Sequence, residues 1–159
     1  MSDNRPIVFA TDGSPSAQRA QTMALELAQR LDAPLLVVSV AHPAYPMVGY
    51  TAYGFVGAVA ELTEAEHQRV RELLDSIAET AEAEGVRCTT VAADGFVLEE
   101  ICRHASGSDA QLLVVGSHGW GATRRLFSGS VSTGLVHSAP CPVLVVRSSP
   151  QAEEHAVAA

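Results

Sequence analysis

Four short runs of the chain are almost wholly apolar: Ile7-Val8-Phe9-Ala10, residues 35–40, Leu112-Leu113-Val114-Val115 and Val143-Leu144-Val145-Val146. Each is short and bounded by turn residues, and reads as a buried strand. Between them lie stretches with helical spacing. Ala17, Ala20, Met23/Ala24, Leu27 and Leu31 predict a first helix ending near residue 31, with Ser14 as its cap and Pro15 at its first position. Val70, Leu73/Leu74, Ile77 and Ala81 predict a second, opened by a capping box at Thr63 and Glu66 and stopped by Gly85, with its charges facing water. Val97, Leu98, Ile101, Cys102 and Ala105 predict a third, and residues 131–139 a short fourth. Residues 86–92 mix apolar and polar side chains, which suits an edge strand with one wetter face. Strands alternating with helices predict an α/β fold: a five-stranded parallel sheet with helices on both faces.

The segment between the fourth strand and the fourth helix breaks this regularity. Glycines at 116, 119, 121 and 129 let the backbone turn tightly and approach a ligand with no Cβ in the way. Ser130 and Ser132 bring hydroxyls to a helix start, where unpaired N–H groups and the helix dipole attract an anion. The segment is shaped to hold phosphate; a turn that only reverses the chain is the plainer alternative. It is not a Walker A loop, which needs a lysine, because all ten Lys and Arg residues of the chain are arginine. Nor does a Gly-x-Gly-x-x-Gly follow the first strand. In parallel sheets, ligands sit beyond the carboxyl ends of the strands where the strand order reverses. The loops at 11–14 and 116–130 share a ligand only if the first and fourth strands are neighbours. The order 3-2-1-4-5 achieves this. It leaves strand 143–146 as an apolar edge, which predicts a two-fold homodimer through that strand.

A formal net charge of −8 argues against nucleic acid or an anionic membrane as the main partner. A polyanion must then be held by N–H dipoles, a few arginines such as Arg124 and Arg125, or a divalent metal. The 159 residues predict one domain over residues 1–147 and an aperiodic tail at 148–159. No signal-peptide pattern or membrane-length apolar run is present in the sequence, so a cytoplasmic location is expected. Cys88, Cys102 and Cys141 lack Cys-x-x-Cys spacing and read as small buried apolar residues. The histidines show no metal spacing. Residues 42–62, with Tyr45, Tyr50 and Tyr53, read as a long loop: a flap or partner surface on one reading, a mobile loop packed on the nearest helix on the other.

The spacing Gly116, two residues, Gly119, nine residues, Gly129-Ser130 resembles the nucleotide-binding signature of the universal stress protein family, in its ATP-binding branch. The resemblance runs from Ile7 to Val146 and rests further on Asp12-Gly13-Ser14, on residues 110–116 and on Ala139-Pro140-Cys141-Pro142 with the apolar run after it. It implies a Rossmann-like sheet of the adenine nucleotide alpha hydrolase type in the order 3-2-1-4-5, dimerisation through strand five, and binding of an adenine nucleotide. The implied cofactor is ATP, with or without Mg²⁺, and the implied role is regulatory, in a stress response. The implied contacts are Thr11 and Asp12 near the sugar and the Val40 backbone at adenine, with Gly116, Ser117, Gly119, Gly129, Ser130, Val131 and Ser132 at sugar and phosphates. Trp120 departs from the family pattern, where a small or basic residue is common. So does Gly95-Phe96-Val97, which lacks a proline often found at the start of helix three.

Asp12 cannot hold phosphate by itself, since like charges repel; it suits a ribose hydroxyl or a water-bridged Mg²⁺, against the plainer reading of a turn aspartate. No catalytic constellation assembles from these residues. Two alternatives stand beside regulatory nucleotide binding. One is a weak ATP-hydrolysing enzyme in which His118 or Asp12 aids water or metal. The other is a dimeric interaction module without nucleotide.

Overall fold

The computed structural model describes residues 4–41, 55–117 and 130–147. Strands β1 (Ile7–Ala10), β2 (Leu35–Ala41), β3 (Cys88–Asp94), β4 (Leu112–Gly116) and β5 (Val143–Val146) form one parallel sheet in the order β3-β2-β1-β4-β5. The order expected from the two unusual loops is the order observed. Helices α1 (Gln18–Leu31), α2 (Phe55–Ala83), α3 (Val97–Gly107) and α4 (Ser130–Ser138) connect the strands.

Alternate residues of β1 feed two cores. Ile7 and Phe9 pack with Leu35 and Val37 under α1 and α2, through Ala20, Ala24, Val70, Leu74 and Ile77. Val8 and Ala10 pack with Val38, Val40, Leu113 and Val115 under α3 and α4, through Ile101, Ala105 and Leu135. All four β1 residues are buried, as a central strand covered on both faces requires. The edges differ: β3 carries exposed Thr89, Ala92 and Asp94, whereas the four apolar side chains of β5 are all half-buried.

Three helices end alike. After α1, Asp32 adopts a left-handed conformation (φ 50°), its N–H bonds Gln29 O, and the N–H of Ala33 bonds Ala28 O. Gly85 and Val86 after α2, and Asp109 and Ala110 after α3, repeat the pattern. This is the Schellman arrangement, which satisfies the last helical carbonyls and tucks the following side chain inward. Ala33, Val86 and Ala110 are accordingly buried.

Local expectations need correction at four points. The capping box at Thr63 does not open α2. The helix begins at Phe55, so residues 55–62 are helical rather than loop. Once the turns around Val70 are nucleated by packing, each added residue gains a backbone hydrogen bond, and the chain from 55 to 62 holds no proline to stop it. Strand β3 starts at Cys88, not at residue 86, because the Val86 N–H is spent closing α2. Ser14 makes no side-chain cap bond, and Pro15 opens not α1 but a 3-10 turn, Pro15–Ala17, that leads into it. The three cysteines are half-buried at the margins of the cores rather than inside them. Burial still pushes each thiol's pKa up, away from the reactive thiolate. Residues 42–54, with the tyrosines, and the tail at 148–159 lie outside the described residues.

Candidate functional site

Strand β1 ends at Ala10, paired with Val38 on one side and Val115 on the other, while β2 runs on to Ala41 and β4 to Gly116. The Thr11 N–H extends the ladder by one bond, to Val38 O at 3.0 Å. The turn that follows is held by its own polar groups. Buried Thr11 accepts the Gly13 N–H on Oγ1 at 3.1 Å, and Asp12 accepts the Ser14 N–H on Oδ1 at 3.0 Å. Aspartate suits this place because its short side chain reaches a backbone N–H two residues on. Gly13 has φ +74°, and a Cβ there would stand 2.9 Å from Leu73 Cδ2 of α2. The conformation favours glycine, and a Cβ would oblige the Leu73 side chain to shift.

On the other side, β4 ends at buried Gly116, paired with Val146, and the Ser117 N–H bonds Val146 O at 2.9 Å. On β2, Val40 pairs with Ala93 and its side chain is buried in the α3/α4 core, which leaves only its backbone to meet a ligand. Val131 is half-buried against the same core, and Ser132 is buried in the first turn of α4. The topology thus brings Thr11, Asp12, Val40, Gly116 and Ser117 to one edge of the sheet, at the point where the strand order reverses. Ser130 is the first residue of α4. Gly119 and Gly129, with His118, Trp120, Arg124 and Arg125, lie outside the described residues.

Sequence reasoning sent the charges of α2 to solvent; Arg69 is exposed as expected, yet it also reaches across to the β1 turn. Its Nε and Nη2 donate to the Glu66 carboxylate at 2.8 and 2.7 Å, and its Nη1 donates to the backbone oxygen of Asp12 at 3.0 Å. The hydrogen bond to Glu66, foremost, raises the arginine's pKa, and the nearby charge of Asp12 adds to it. The Glu66–Arg69 spacing was legible as an i, i+3 pair. The reach to a carbonyl 57 residues away was not. Two residues before Arg69, His67 Nε2 lies 2.6 Å from Asp94 Oδ1 at the end of β3.

A cleft of about 360 Å³ opens beside the β1 turn on the α1/α2 face, lined by Thr11, Gly13 and Ser14 with Gln18, Gln21 and Ser76. It lies on the face opposite α4 and has no charged side chain in its lining. Among the described residues no group of three or more His, Cys, Asp or Glu could hold a metal ion.

An open parallel α/β sheet with a tied turn at the reversal of strand order, and a glycine-rich sequence following β4, defines the doubly wound class of α/β domains. Within that class, the universal stress protein family model matches residues 3–147. A universal stress protein of Thermus aquaticus is 37% identical over 149 residues, covering 90% of this chain and 98% of that relative. The structure of universal stress protein UspA from Lactobacillus plantarum superposes with a TM-score of 0.77 at 25% identity, over 91% of this chain and 98% of that one. That of the universal stress protein from Archaeoglobus fulgidus in complex with dAMP gives 0.60 at 25% identity, over 88% and 95%. The chain belongs to the universal stress protein family. No helix among its described residues is long and apolar enough to cross a membrane.

Proposed function

We propose that the protein binds an adenine nucleotide, ATP with or without Mg²⁺, at the carboxyl edge of β1, β2 and β4, and serves as a regulatory member of its family in a stress response. The observation that carries this is the adjacency of β1 and β4, which sets Thr11 and Asp12 beside Gly116 and Ser117. The dAMP complex of the Archaeoglobus fulgidus relative supports the ligand class. In this reading Asp12 accepts a sugar hydroxyl and the Val40 backbone meets adenine. N–H and hydroxyl groups of Gly116, Ser117, Gly119, Gly129, Ser130, Val131 and Ser132 take sugar and phosphates, helped by the dipole of α4. Hydrogen bonds to charged groups contribute about 1.5–3 kcal/mol each, so a handful suffices for micromolar affinity after association costs. That matters in a chain of net charge −8, where long-range attraction for a polyanion is lacking.

Titration calorimetry with ATP, ADP and AMP, with and without magnesium, tests the reading. Micromolar heats that fall at least tenfold in Asp12→Ala support it; no heat with any of the three overturns it. We assign residues 1–147 to one domain and residues 148–159 to a tail, and infer a homodimer through β5 and a cytoplasmic location. The support for the dimer is the unbroken apolar sequence of β5 at a sheet edge. A monomer in sedimentation at working concentration would refute it.

A further inference from the structure

We propose that Arg69 is a positioning residue for nucleotide binding: aimed by Glu66, its guanidinium grips the Asp12 carbonyl and fixes the turn that presents the Asp12 carboxylate to the sugar. The inference rests on the nucleotide reading above. All the arginine's hydrogen-bonding directions used here are spoken for. Nε and Nη2 form a two-pronged bond to Glu66, and Nη1 reaches Asp12 O. A planar fork held on one side by a carboxylate leaves its remaining amine at a set angle, which a lysine ammonium cannot copy. The guanidinium is half-exposed, and such pairs add little to folding stability. Its consequence is geometric. The β1 turn contains a left-handed glycine, and besides its short-range bonds and the Thr11–Val38 ladder bond it is held from α2 by the contact with Leu73 and by this bond from Arg69.

The molecule contains its own control. At the opposite end of the sheet Arg87 Nη2 donates to the backbone oxygen of Asp32 at 3.0 Å, while Nη1 bonds Asn4 Oδ1 at 3.1 Å. Arg87 also holds the carbonyl of an aspartate turn, but away from the carboxyl edge. A merely structural arginine would behave like Arg87.

The test is calorimetry of the full chain and of Arg69→Gln, Arg69→Lys and Arg87→Gln with adenosine, AMP and ATP, alongside thermal melts. Arg69→Gln is expected to weaken all three ligands by a similar factor, about tenfold, as the loss of one well-placed hydrogen bond to the sugar would. Arg69→Lys is expected not to rescue, and Arg87→Gln to bind within twofold of the parent while melting no higher than Arg69→Gln. Unchanged affinity in Arg69→Gln overturns the proposal, as does an equal loss in Arg87→Gln. A loss that grows with the number of phosphates also overturns it, since the arginine would then be touching phosphate. Failure of the parent protein to bind any of the three ligands instead removes the nucleotide reading, and this proposal with it.

Discussion

Gly13 and Gly85 sit at opposite ends of the sheet with almost the same backbone angle, φ +74° and +73°. Around Gly85 nothing lies within 4 Å of where a Cβ would be; at Gly13 the side chain of Leu73 is 2.9 Å away. The first glycine turns the chain from β1 toward a helix at the carboxyl edge of the sheet, and the second closes a helix at the far end. The difference teaches what each turn is for. At the far end the helical carbonyls close the turn and Gln29 Nε2 adds a bond to Glu84 O at 2.8 Å, but no side chain stands where a Gly85 Cβ would be, so residue 85 itself is constrained only in conformation. At the carboxyl edge Leu73 of a distant helix stands against residue 13 and Arg69 of the same helix bonds the turn, so space as well as backbone angle is constrained there.

The largest expected effect separates the two. Gly13→Ala carries about 1–2 kcal/mol of left-handed strain and, in addition, displaces a packed leucine, which brings the total loss to about 2–4 kcal/mol. Denaturant unfolding measures it. In a Leu73→Ala background the same substitution should cost only the strain, giving a coupling of about 1 kcal/mol or more. Additive losses would show that Leu73 does not shape the turn. Gly85→Ala should cost the strain alone, about 1–2 kcal/mol, and leave ligand affinity untouched.

How much of this was open to reading from the chain follows from the same contrast. Sheet order could be deduced because it depends on patterns spanning whole segments: apolar runs such as Val143 to Val146, the mixed strand at Cys88, and two unusual loops that needed adjacent strands. Gly85 was legible as a stop because its role is local. The start of α2 was not, since Thr63 and Glu66 form a valid capping box whose signal is overridden once helix packed elsewhere propagates through residues 55–62. Arg69 was hidden for a related reason. Its sequence neighbours announce a surface ion pair, and only folding brings Asp12, 57 residues away, to its free amine edge. Cys102 and Cys141 read as interior because cysteine behaves as a small hydrophobe, yet packing places them at the margin of a core.

Asp32 and Asp109 sharpen the far-end half of the comparison. Both hold φ 50° in the place that Gly85 fills after α2. If these turns ask only for conformation, Asp32→Gly and Asp109→Gly should each stabilise the fold by a few tenths to about 1 kcal/mol, with glycine's larger unfolded-state entropy limiting the gain. The gain at Asp32 should be the smaller, because its carboxylate lies 4.0 Å from Arg87 Nη2. A loss at both sites would mean that the aspartate side chains do more than tolerate the angle.

The smallest effect concerns charge at that same end. His104 lies in the last turn of α3, whose closing bonds use its backbone oxygen. Burial, first, lowers the imidazole pKa below its ordinary 6.5; Arg103 lowers it further, and Glu100 raises it in part. The sign is fixed by proton counting. Between the folded and unfolded pKa values the unfolded chain binds more protons, so stability rises with pH through that window and levels off above about pH 6.5. Glu100 acts at a lower pH: its hydrogen bond from Arg103, above all, holds its pKa below the ordinary 4.5, and the stability it contributes is lost as pH falls below that value. Unfolding measured from pH 5 to 8 should show a shallow slope that disappears in His104→Gln. By NMR, the His104 titration should move up in Arg103→Gln and further down in Glu100→Gln. Movement in the reverse sense would mean that the far end of the sheet is governed by charge rather than by backbone closure, and the contrast between the two glycine turns would lose its simplest explanation.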